Sequence, residues 1–66
     1  MNARLIGETL RMLRGDRSQA EVAKAVGVNQ SAIANYEAGT RIPCDEVKVR
    51  LALYFNVTVD FLFFTH

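Results

Sequence analysis

Gln30, Ser31 and Asn35 form a row of uncharged hydrogen-bonding side chains in a short segment that otherwise holds Ala32, Ile33, Ala34 and Tyr36. The amide of Gln30 donates and accepts side by side, which matches the N7 and N6 edge of adenine in the major groove of double-stranded DNA. The hydroxyl of Ser31 suits several bases or a phosphate oxygen, and Asn35 suits a base or the backbone of the far strand. These three are the expected base contacts. Arg17, Gln19, Asn29 and Arg41 are the expected backbone contacts. Gln19 stands at a helix start, where free amides and the helix dipole favour a phosphate oxygen. Arg17 and Arg41 supply charge, Arg41 from the better position, and Lys24 is the least favoured cation. Asn29 serves first as a helix cap. The competing reading for each is a solvated side chain on a helix surface.

Such a row needs a helix held at a fixed angle, and the surrounding residues supply one. Ser18 followed by Glu21 reads as a capping box, so a helix begins there. Val22, Ala23 and Val26 give it one narrow apolar face, with Ala23 small enough for a second helix to cross closely. Gly27 permits the left-handed conformation that ends it. Asn29 caps the next helix, Ile33 and Tyr36 form its inward face, and Gly39 stops it. The predicted order is helix, turn, helix.

The pattern extends to both sides. Ile6, Leu10 and Leu13 recur at helical spacing and predict a first helix over residues 2–14. The second helix is expected over residues 18–26 and the third over residues 30–38. Residues 39–44 form a loop with Pro43 near its end. Asp45 is the expected cap of a fourth helix running to residue 55, with Val47, Leu51, Ala52 and Phe55 on its buried face. Asn56 takes a left-handed position, and Thr58 caps a last short helix over residues 59–63. No strand pattern, repeat or linker breaks the series. The expectation is an all-α, compact five-helix domain spanning residues 1–66.

At 66 residues the core stabilises the chain only modestly, which makes self-association plausible. Half the residues are hydrophobic, yet no apolar run approaches the roughly 18 needed to span a bilayer, and the N-terminus lacks a signal peptide's apolar block. A cytoplasmic protein without a membrane partner is expected. One cysteine, Cys44, and one histidine, His66, provide neither a disulfide nor a set of metal ligands, so no metal, cofactor or small-molecule ligand is expected. Cys44 has no evident base and the carboxylates are scattered, which argues against an enzyme and leaves no catalytic residues to name. A net charge of +1, from eight basic and seven acidic residues, is low for a nucleic-acid binder. If about three phosphates are neutralised per subunit, a dimer has a log-log salt slope near about −5.

The C-terminal stretch carries Phe61, Phe63 and Phe64. Those helix positions span too much of the circumference to face one core. With Leu53 and Tyr54 they are expected to form the interface of a two-fold homodimer, which spaces two reading helices about 34 Å apart along DNA. The competing reading is a terminus folded back over the core. Arg14 and Glu37 are expected to pair with each other, because an acid on the reading helix repels phosphate unless it is neutralised.

The ordered set Ile6, Leu10, Leu13 and Arg14, then Gln19, Ala23, Gly27, Val28, Ile33, Tyr36, Glu37 and Gly39, then Pro43, Leu51, Ala52, Val57, Asp60 and Leu62 resembles the phage repressor and Cro type of helix-turn-helix, also called the xenobiotic response element family. The resemblance implies a five-helix, lambda repressor-like domain that binds a roughly palindromic operator as a dimer and regulates transcription. It implies that Gln19 buttresses the reading helix, and it favours the Arg14 and Glu37 pair. Two features depart from the family pattern. Only four residues separate Arg14 from Gln19, which demands a tight turn, and Cys44 stands where a cap or a basic residue is common. Repression is the expected output, because occupancy of a promoter blocks polymerase with no further surface. The rival function is a protein-interaction module that keeps this fold and binds another regulator.

Overall fold

A computed structural model describes residues 1–64; Thr65 and His66 lie outside the described residues. Five helices follow one another: α1 (Ala3–Arg14), α2 (Gln19–Val26), α3 (Gln30–Ala38), α4 (Asp45–Phe55) and α5 (Val59–Phe63). No strand occurs among the described residues.

Local chemistry sets most of the boundaries. The side chains of Asn2, Ser18, Asn29 and Thr58 accept from the backbone N–H groups of Leu5, Glu21, Ala32 and Phe61 at 3.1, 3.0, 2.8 and 3.0 Å. Each such cap contributes about 1 kcal/mol. The fourth helix departs from expectation. Cys44, not Asp45, holds the extended cap position of α4, and its side chain makes no capping bond. The N–H of Lys48 donates to the Cys44 carbonyl at 2.9 Å and closes the first turn one residue earlier than expected, while Asp45 joins that turn and pairs with Lys48 at 3.5 Å. An acid there still favours the helix dipole.

The short turn between α1 and α2 closes through Arg14. Gly15 takes φ 58°, ψ −126°, a conformation open to glycine, and the Arg17 N–H donates to the Arg14 carbonyl at 3.1 Å. The Arg14 guanidinium Nη1 then donates to the Arg17 carbonyl at 2.7 Å. One residue thus holds both sides of the turn.

The core draws on every helix: Ile6 and Leu10 of α1, Val22 and Val26 of α2, Ile33 and Tyr36 of α3, Leu51 of α4, and Leu62 and Phe63 of α5 are all buried. Phe63 corrects the expectation for the C-terminal rings. It is 0% exposed and belongs to the core, because α5 turns its Leu62 and Phe63 side inward and leaves Phe61 and Phe64 outside. Phe55 is only half-buried and meets the Tyr54 ring edge-on, with centroids 5.0 Å apart.

α1 crosses α3 at Gly7. A Cβ at that position would lie 2.3 Å from the Glu37 carbonyl oxygen and 2.6 Å from that of Tyr36, so only glycine allows the approach. At the far side, Arg50 of α4 donates to the Val26 carbonyl at the end of α2 at 3.4 Å and pairs with Glu46. α3 is therefore braced from α1, while α2 is braced from α4.

Candidate nucleic-acid interface

Successive side chains on a helix are rotated by about 100°. On α3 this turns Ala32, Ile33 and Tyr36 into the core, while Gln30, Ser31, Asn35 and Ala38 are exposed. The three expected base-reading residues share that outward surface, and they differ in what their side chains have left to offer. The Gln30 amide makes no hydrogen bond among the described residues and keeps both donor and acceptor. The Ser31 hydroxyl donates to Asn29 Oδ1 at 2.9 Å, which leaves its lone pairs outward. Asn29 Oδ1 also caps α3, so Asn29 presents only its NH2 group. The single Thr40 hydroxyl hydrogen is shared between the Asn35 backbone carbonyl at 3.2 Å and Asn35 Oδ1 at 3.4 Å, so the Asn35 side chain keeps its NH2 donors and a lone pair on Oδ1.

Beneath this surface lies a polar clamp. Arg14 Nε donates to Glu37 Oε2 at 2.6 Å and Nη2 donates to Oε1 at 3.0 Å. Gln19 Nε2 donates to the same Oε1 at 3.1 Å. The fork-on-carboxylate geometry is the strong form of an ion pair, and the two side chains are only 18% and 7% exposed. Hydrogen bonding to the Glu37 carboxylate, reinforced by its negative charge, holds the Arg14 guanidinium above its ordinary range although burial acts against it. Arg14 therefore stays charged at every working pH. The clamp joins α1, the start of α2 and α3, and so fixes the angle at which α3 presents its outward face.

Gln19 is where this geometry changes the expected chemistry. Its amide nitrogen is aimed at Glu37, so its carbonyl oxygen faces elsewhere and cannot serve a phosphate, which only accepts. The remaining Nε2 hydrogen and the free backbone N–H groups at the start of α2 are the donors left for a phosphate there.

The cations separate into two classes. Arg4 pairs with Glu8, Arg14 with Glu37, Lys48 with Asp45 and Arg50 with Glu46. Arg11 and Lys24 have no acidic partner among the described residues, and Arg17 and Arg41 meet only aromatic rings by their guanidinium groups. The Arg41 guanidinium lies 5.6 Å from the centre of the Tyr36 ring, which ties the loop over residues 39–44 to α3. The Arg17 guanidinium lies 5.2 and 5.6 Å from the Tyr54 and Phe55 rings, so the structure sets it against α4 rather than among the α3 side chains. Such exposed stacking contributes about 0.5–1 kcal/mol. A net charge of +1 thus conceals four cations, Arg11, Arg17, Lys24 and Arg41, that no acid pairs with among the described residues.

Three contributors escape a reading of motifs alone. Arg11 walls an open groove of about 260 Å3 beside α3, together with Arg14, Gln19, Ala34, Glu37 and Ala38. Its signal was its place three residues before Arg14 on the same helix face. Gly7 had the signal of a glycine inside a helical pattern with no capping duty. Thr40, which holds Asn35, gave none.

On α4, on α5 and at the residue that ends α5, Leu53 is 76% exposed, Phe64 55%, Val49 48% and Phe61 43%. Tyr54, grouped with them from the sequence, is half-buried under Arg17. Lys48 lies beneath the edge of this surface, its ammonium 5.7 Å from the centres of both the Phe63 and Phe64 rings. Among the described residues no helix is long and apolar enough to cross a membrane, and no group of three or more His, Cys, Asp or Glu residues is placed to hold a metal ion.

A family described as helix-turn-helix, of the Cro and phage-repressor type, matches residues 8–62. No curated protein and no solved structure matches the chain.

Proposed function

The chain belongs to that helix-turn-helix family of DNA-binding regulators, and on this premise we propose that it is a repressor whose residues 1–66 form one domain and bind a palindromic operator as a homodimer. α3 enters the major groove. Gln30, Ser31 and Asn35 read base edges, and Asn29, Arg41 and the N-terminal amides of α2 beside Gln19 hold the phosphates. Arg17 joins them by leaving its stacking position, which costs little at an exposed site.

The observation that carries this reading is the contrast within α3. Its inner side is clamped through Glu37 to Arg14 and Gln19, while Gln30 keeps an unengaged amide at the exposed first turn. An idle donor and acceptor on a fixed helix is what direct readout of adenine requires. The dimer is supported by the exposed side chains of Leu53 on α4, Phe61 on α5 and Phe64 at the end of α5, away from the helix that carries the readers. Phe63 lies in the core and takes no part.

The same apolar surface favours one second reading, in which α4 and α5 bind a different regulator. A selection of bound sequences from a random DNA pool at near-physiological salt, with sizing of the protein free and bound, separates them. Enrichment of a palindrome bound by two subunits supports the repressor. A folded protein that enriches no sequence contradicts it and leaves the protein-binding reading.

A further inference from the structure

We propose that Arg11 is a further contact to the DNA backbone, meeting the run of phosphates that also meets the N-terminus of α2. The inference rests on the DNA-binding reading above and adds a residue that neither motif nor family match assigns.

Four observations lead to it. Arg11 is exposed, and its guanidinium has no hydrogen-bond or ion-pair partner among the described residues. It walls the groove of about 260 Å3 that Gln19 and the outward residues Ala34 and Ala38 also line, so it stands beside both elements expected to touch DNA. The one acid in that groove is already committed, since both Glu37 oxygens accept from Arg14 and Gln19 and its side chain is 7% exposed. The groove is therefore net positive. Ala34 and Ala38 carry single methyl groups, which leaves the way open from the outward face of α3 to the Arg11 stem.

A structural duty competes for the same residue. Arg11 stands in the last turn of α1, where a cation favours the helix dipole. That duty appears in the stability of the free protein, whereas a phosphate contact appears in the salt dependence of binding. The two are measured separately.

The test is to titrate wild type, Arg11→Gln, Arg11→Lys and Lys24→Gln with a duplex enriched from the random pool, at salt from about 50 to 200 mM. Lys24 is also without a partner but does not line the groove, so it controls for net charge alone. Arg11→Gln is expected to flatten the log-log slope by about 0.9 for each bound subunit, which is about 3.5-fold less loss of affinity across that range. Arg11→Lys restores the slope, Lys24→Gln keeps it, and the ranking of base-substituted duplexes does not change. Should Arg11→Gln fold poorly, Ala38→Glu places a carboxylate opposite Arg11 and is expected to flatten the slope in the same way. An unchanged slope in Arg11→Gln, or an equal change in Lys24→Gln, overturns the inference while duplex binding by wild type keeps the function standing. Absence of duplex binding by wild type overturns both.

Discussion

On the outward face of α3, Gln30 is unengaged and Ser31 and Asn35 keep hydrogen-bonding capacity to spare, on an element that the Glu37 clamp and the Gly7 crossing hold in place. On the outward faces of α4 and α5, apolar groups stand idle instead, with Leu53 and Phe64 more than half exposed. The two surfaces call for different partners. Fixed donors and acceptors gain from a ligand with a matching pattern of polar edges, since alignment is already provided by the fold. Exposed apolar area gains from any partner that excludes water, and a second copy of the same surface meets that need with no further sequence. Under the proposed function, reading and assembly fall on separate surfaces, and the separation can be attacked at either end.

Glu37→Ala is expected to have the largest effect, because it leaves the Arg14 guanidinium and the Gln19 amide without their acceptor. Loss of one partner from a mostly buried pair costs about 3 kcal/mol, while a core of this size supplies about 3–5 kcal/mol in all. Urea denaturation should show a protein at the edge of unfolding, and DNA binding should fall with it. Retention of full stability would mean that α3 is not held by the clamp.

Leu53→Asp attacks the other surface. The free protein is expected to become monomeric on sizing without loss of its melting temperature, since Leu53 touches little of its own chain at 76% exposure. Apparent affinity for a palindrome should drop by about 10²- to 10⁴-fold as the second half-site stops adding to the first. If the change leaves both size and affinity untouched, α4 and α5 serve some other partner.

Asn35→Ala should cost about 1 kcal/mol of operator binding, the usual worth of one hydrogen bond, with fold and dimer unchanged. The smallest effect is expected of Arg41→Ala. It should weaken binding to all sequences alike and flatten the salt slope by about 0.9 per subunit. A change in base ranking by Arg41→Ala would move that residue from the backbone to the readers.

The helices were legible in the sequence because their ends are marked by residues with one dominant chemistry: Ser18, Asn29 and Thr58 at the starts, Gly27, Gly39 and Asn56 at the stops. Where that chemistry was ambiguous, the reading slipped. Cys44 and Asp45 are adjacent, and only the backbone bond from Lys48 to Cys44 decides which of them is the cap. Phe61, Phe63 and Phe64 looked alike as a cluster, and the burial of Phe63 depends on how α5 docks, which no local rule fixes. The proposed polar readers stand out by residue type. What their side chains have left to offer does not, because the Thr40 contact to Asn35 and the Gln19 contact to Glu37 span five and eighteen positions.

The central claim is that Gln30 on a fixed α3 reads a base. The most direct test compares wild type with Gln30→Ala on the selected operator and on every single-base-pair variant of it. The account predicts that the variant protein keeps its fold and its dimer and loses about 1–3 kcal/mol of discrimination at one position in each half-site, with the other positions ranked as before. Uniform weakening at all positions, or unchanged discrimination at every one, would contradict it.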